Sequence, residues 1–184
     1  WFKCRARDTF IALPGLTLSI EEDDYFELVM KTAMKGYQEF MEGKDITVNI
    51  TELEQPDVPL WAIWALQQYA KETSKEECLK KYGKFIKSVM LFIEGNHHPN
   101  LELHPNGLLY ADGKNKAVTW MNSTANGKPV APRSGYIVEF NALWYNALCF
   151  CAALCEQEGK QERQQHLLEL AEKTKQSFLD TFLN

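Results

Sequence analysis

The sequence predicts an all-α fold, a double-layered helical array broken by one long irregular segment that can form a short β-hairpin. Three observations lead there. Residues 58–72 and 138–158 are apolar on nearly every face, as helices buried all round are. Each is followed by a helix with a single apolar stripe. Residues 96–135 carry no helical periodicity, and about 40 residues far exceed an ordinary connection. An inner layer packed on both flanks and an outer layer facing water would produce this alternation.

The elements follow in order. Ser19 with Glu22 reads as a capping box, and Asp23 and Asp24 suit the positive end of a first turn. The helix then runs from about Glu21 to Glu42, with Tyr25, Leu28, Val29, Thr32, Met34 and Tyr37 as its apolar surface and Gly43 as its stop. Asp57 and Pro59 open the first all-round apolar helix, since proline is tolerated in a first turn. Ser74 with Glu77 is a second capping box, opening a helix to about Glu94 with the stripe Cys78, Tyr82, Phe85, Ile86, Val89 and Phe92. Two helices close the chain, about Val138 to Glu158 and Lys160 to Phe182. The second carries Leu167, Leu170, Ala171, Thr174, Phe178 and Phe182 on one side. In the irregular segment, Leu101–Leu103 and Leu108–Tyr110 flank His104-Pro105-Asn106-Gly107 and can pair as a hairpin.

Composition narrows the function. The chain has 184 residues, the size of one domain or part of one. A net charge of −5 without a basic block argues against nucleic acid or an anionic membrane, which need clustered Lys and Arg. No segment approaches the roughly 18 unbroken apolar residues of a membrane span. The five cysteines are odd in number and form no CxxC, so a reducing, cytoplasmic setting without a disulfide framework is expected. The opening at Trp1, without Met, reads as a piece of a longer chain.

Chemistry-bearing residues gather in three places. Arg7-Asp8 combines a fixed donor fork with a two-oxygen acceptor, which grips neighbouring sugar hydroxyls or makes a local ion pair and helix cap. Between Asp112 and Glu139, Trp120, Asn122 and Arg133 lead to a helix start carrying Glu139, Asn141, Tyr145 and Asn146. These polar groups need partners, supplied either by a polyhydroxylated ligand or by the protein, with Arg133 pairing Glu139. His97, His98 and His104 sit on a proline-broken loop without cysteine support. Zinc would need four close ligands, so no metal and no cofactor is expected. Trp61 and Trp64, one turn apart, are core residues or a sugar platform.

Taken together, several stretches resemble the glucosidase domain of glycogen debranching enzymes, the amylo-α-1,6-glucosidases. They are the opening run to Arg7-Asp8-Thr9-Phe10-Ile11-Ala12-Leu13-Pro14-Gly15-Leu16, then Asp57-Val58-Pro59-Leu60-Trp61, Asn106-Gly107-Leu108-Leu109-Tyr110, Thr119-Trp120-Met121-Asn122, Pro132-Arg133-Ser134-Gly135 and Val138–Leu148. The resemblance runs from residue 1 to about residue 150, with every motif in the family's order. It implies an (α/α)6 toroid of which this chain supplies about half, in a single body in which 96–135 forms the active-site loop region. It also implies an inverting hydrolase of α-1,6 branch linkages in glycogen and limit dextrin. It places Arg7, Asp8, Asp57, Trp61, Trp120, Arg133, Glu139 and Trp144 on the substrate, and the general acid at position 122.

Two departures follow from the same comparison. The family's Thr-Trp-Met-Asp reads Thr-Trp-Met-Asn here, and the Asn122 amide cannot protonate a leaving oxygen as a carboxylic acid does. The family's base lies in the later half of the domain. This chain alone is therefore expected to be inactive, with Asp112 or Glu139 as the nearest carboxylates to stand in for Asn122. A non-catalytic α-glucan-binding toroid is the alternative. Half a toroid also leaves inner-helix surface uncovered, which predicts self-association.

Overall fold

The structure, a computed structural model, describes residues 4–183. Its elements are mostly helical with a few short strands, as an all-α fold requires. The chain divides into two compact units, Trp1–Phe92 and Ile93–Asn184.

In the first unit a two-residue strand β1 (Cys4–Arg5) pairs in parallel with β2 (Ile50–Thr51). Helix α1 (Ala6–Leu16) follows at once. The sequence reading had taken this stretch as a motif and not as a helix, because Pro14 and Gly15 fall inside it. In its last turn Thr17 Oγ1 and Ser19 Oγ donate to the carbonyls of Leu13 and Gly15, which satisfies acceptors at the helix end. That use of Ser19 also removes the expected capping box. A 3-10 turn, Leu18–Ile20, intervenes, and α2 (Asp23–Met41) starts at Glu22 with no side-chain cap.

The buried face of α2 is Phe26, Met30, Ala33 and Tyr37, while Tyr25, Leu28 and Val29 are exposed. Both sets have helical spacing, so periodicity alone could not choose between them. Aromatic contacts decide: Phe26 stacks on Tyr69 of α3 (Val58–Glu72), and Tyr37 meets Phe85 of α4 (Lys75–Glu94) edge-on. Gly43, at φ +65°, ends α2 as expected. Its N–H and that of Lys44 reach back to the carbonyls of Phe40 and Glu39. Helix α3 is buried nearly all round. The start of α4 is also as expected, with Ser74 Oγ accepting the Glu77 N–H at 3.0 Å.

In the second unit, α5 (Val138–Gln157) packs along α6 (Gln161–Phe182). By length and composition α5 could cross a bilayer. Here 50% of its apolar window is buried, with Val138, Ala142 and Tyr145 exposed, so the helix is not enclosed on every side as its composition predicts. The expected hairpin forms: β3 (Glu102–Leu103) pairs antiparallel with β4 (Leu109–Ala111), and β7 (Gly135–Tyr136) adds to the other edge of β4. A second hairpin, β5 (Thr124–Ala125) and β6 (Lys128–Pro129), turns at Asn126-Gly127, where both residues have positive φ. Thr174 and Ser177 of α6 donate to the carbonyls of Gly107 and Asn106, tying the first hairpin to the helix pair.

Candidate active site

In the first unit, the start of α1 and the start of α3 meet. Arg7 is buried, and so is Asp57. Arg7 Nε donates to Asp57 Oδ2 at 2.7 Å, and Nη2 to Oδ1 at 2.9 Å, a two-pronged pair. The Trp61 Nε1–H reaches Asp57 Oδ2 at 3.2 Å, and Gln55 Oε1 accepts from Arg7 Nη2 at 3.4 Å. Trp61 is half-buried and its ring is T-shaped against Trp64, with centroids 5.6 Å apart. Asp8, the next residue of α1, is exposed. The sequence offers Asp8 beside Arg7 for a sugar grip or a local ion pair, and the structure pairs Arg7 with Asp57. A pair separated by 50 positions has no local signature. The one available signal was a charged residue standing at the edge of an all-apolar helix.

In the second unit, Arg133 pairs with Glu139 in the first turn of α5. Nη2 lies 2.8 Å from Oε2, and Nη1 pairs with Oε1. Both carboxylate oxygens of Glu139 are thus engaged. Asp112 is exposed, and its carboxyl is held below the usual range, chiefly by the Lys114 backbone N–H and next by the Ser134 hydroxyl. A general acid needs the opposite shift. Trp120 is 65% exposed and Asn122 half-buried. Among the described residues the Asn122 side chain makes no hydrogen bond.

One expectation is corrected by burial, and one of two alternatives is met. Trp144 is fully enclosed, and its Nε1 has no hydrogen-bond partner among the described residues. It sits in the core of this unit and presents no surface to a sugar. Asn141 finds its partners within the protein: it accepts from Leu109 N–H at 2.7 Å and donates to the carbonyls of Leu109 and Ile137. It clamps β4 to α5, which satisfies a buried amide without a ligand.

The histidines are dispersed. His97 is exposed. His98 is buried, and its Nδ1 accepts the Asn100 N–H at 3.1 Å. His104 Nδ1 is 2.8 Å from the Tyr136 hydroxyl, which also accepts from Asn106 Nδ2. Among the described residues, no group of three or more His, Cys, Asp or Glu is placed to hold a metal ion.

Each unit thus places an arginine–carboxylate pair at a helix start, the first beside a half-buried indole. The comparisons give the class: the chain is a member of a glycoside hydrolase family. It belongs to the amylo-alpha-1,6-glucosidase family, whose model matches residues 1–184 and which is related to glycogen debranching. An α-glucan is the substrate the family implies. Comparison with curated proteins and with solved structures finds no match.

Proposed function

We propose that this chain forms the sugar-gripping part of a glycoside hydrolase that cleaves α-1,6-glucosidic branch linkages of glycogen-like glucans with inversion. The observation that carries the reading is the buried Arg7–Asp57 pair with Trp61 on its carboxylate. A buried ion pair is weak as a stabilising device, so its presence calls for another use. Here it fixes donors and acceptors at helix starts, next to the exposed carboxylate of Asp8, where the family resemblance puts the terminal glucose. Within the second unit, taken by itself, Trp120 is an exposed ring and Arg133 with Glu139 a polar pair.

In inverting hydrolysis one carboxylic acid protonates the leaving oxygen. A second carboxylate, about 6.5–9.5 Å away, activates water on the opposite face. Position 122 holds the amide where the acid belongs. Asp112 is shifted the wrong way to replace it, and Glu139 is gripped by Arg133 on both oxygens. The base belongs to a later part of a longer chain that completes an (α/α)6 toroid in the cytoplasm. The exposed face of Tyr25, Leu28 and Val29 favours self-association of the present residues. Size-exclusion chromatography is expected to show more than a monomer, and a clean monomer removes that part.

The amide at 122 favours a second reading, an α-glucan-binding protein without turnover. Glucose release from limit dextrin by the full-length protein and by Asn122→Asp separates the two. Release by the unmodified protein supports hydrolysis with another acid. Release only after Asn122→Asp shows a site lacking its proton donor. No release from either, with maltose binding lost in Asp8→Ala, supports binding alone. No release and no binding removes both readings.

A further inference from the structure

The second unit also contains a cleft of about 570 Å³ that none of the groups above uses except Asp112. Its wall includes Tyr110 and Glu102 from the β3–β4 hairpin, Asp112, His98, Asn100 and Lys116. We propose that this cleft is a secondary subsite for an uncharged oligosaccharide, holding glucose units of an α-glucan chain away from the scissile bond. The inference rests on the α-glucan reading above and extends it to a separate surface.

The argument begins with Tyr110. Its ring is not a loose surface aromatic. It stacks on His104, with centroids 5.0 Å apart and planes 10° from parallel, and stands edge-on to Tyr136 at 6.0 Å. His104 is in turn fixed. Asn106 Nδ2 donates to the Tyr136 hydroxyl, which lies 2.8 Å from His104 Nδ1, and His104 Nε2 is 3.7 Å from Glu102. Hydrogen bonds on one strand edge thus set the angle of a ring that lines the cleft. A sugar ring presents C–H groups on its face and hydroxyls around its rim. A fixed aromatic ring among donors and acceptors is its complement.

The rim chemistry is of that kind. Glu102 and Asp112 accept, Lys116 donates, and Lys116 Nζ is already held by Asn100 Oδ1 at 3.0 Å. Charge selects against the main rival ligands. Burial pushes the His98 imidazole down to about 4, so it is neutral at pH 7. Two carboxylates then outnumber one ammonium, and a phosphorylated ligand would meet net repulsion. With mixed donors and acceptors, a small negative charge and an ordered ring, the cleft suits an uncharged polyol over an anion.

Calorimetric titration of the full-length protein with maltotetraose tests this. Tyr110→Ala is expected to weaken maltotetraose binding about tenfold, and Tyr110→Phe to preserve it, because the ring and not the hydroxyl is the platform. His104→Ala, which loosens the ring, gives an intermediate loss. Unchanged maltotetraose affinity in a folded Tyr110→Ala overturns the proposal. If Tyr110→Ala does not fold, the exposed changes Lys116→Ala and Asp112→Ala take its place under the same criterion. Inorganic phosphate binding more tightly than maltotetraose, and lost in Lys116→Ala, also overturns it. The function proposed above fails separately: absent glucose release with the Tyr110 effect intact leaves the cleft standing.

Discussion

Arg7 and Asp57 in the first unit are each 3% exposed, whereas Arg133 and Glu139 in the second are 25% and 28% exposed. The chemistry is the same, a guanidinium fork on a carboxylate at a helix start, and only the solvent differs. In the buried pair, removing one partner strands a charge that water cannot reach. In the half-exposed pair, water replaces the lost partner. The first pair is therefore sensitive to the loss of either member, and the second tolerates it.

The largest expected effect follows directly. Asp57→Ala should lower stability by about 3–5 kcal/mol, because Arg7 remains buried without its counter-charge. Glu139→Ala should stay within about 1 kcal/mol. Urea unfolding of the two variants measures both. Equal losses would show that exposure does not separate the pairs.

A smaller effect separates the units along the pH axis. His98 in the second unit accepts the Asn100 N–H at Nδ1, so a proton arriving there destroys that bond as well as placing a charge in a buried site. Its pKa falls from 6.5 to about 4 on folding, chiefly through burial. Between those values the unfolded chain binds the extra proton and the folded chain does not. The contribution is thus fully present above about pH 6.5 and is lost as pH falls toward 4. Its limit is about 3 kcal/mol. Hydrogen-exchange protection factors at the β3–β4 amides, corrected for the intrinsic pH dependence, should fall across that window, and His98→Phe should flatten the response. A fall confined to residues 4–92 would contradict the assignment.

Both pairs were only partly legible in the sequence, for a physical reason. Arg133 and Glu139 are six positions apart at a recognisable helix start, so their pairing could be read locally. Arg7 and Asp57 are 50 positions apart, and Asp8 offered a nearer partner. The helix starts after Asp57 and Ser74 and the stop at Gly43 were readable because caps and glycine stops are local chemistry. The buried face of α2 was not: Tyr25, Leu28 and Val29 repeat as regularly as Phe26, Met30 and Ala33, and only contacts with α3 and α4 choose between them. The platform of His104, Tyr110 and Tyr136 was hidden for the same reason. It depends on β7 pairing with β4 across more than 20 residues of irregular chain.

The smallest effect has the opposite sign and sharpens the comparison from the other side. If burial makes Arg7 and Asp57 dependent on each other, a buried polar group with no partner should be better removed. Tyr37 in the first unit is such a group. Its ring is fully enclosed against Phe40 and Phe85, and its hydroxyl makes no hydrogen bond among the described residues. Burial alone pushes that hydroxyl well above its ordinary pKa. Tyr37→Phe keeps the ring contacts, deletes the stranded oxygen, and should stabilise the protein by about 1 kcal/mol. Trp144, the corresponding orphan in the second unit, offers no equally clean test, because Trp144→Phe also opens a cavity. A Tyr37→Phe protein that melts lower than the original would mean that the hydroxyl is satisfied after all, and that buried polarity in this unit is paired throughout.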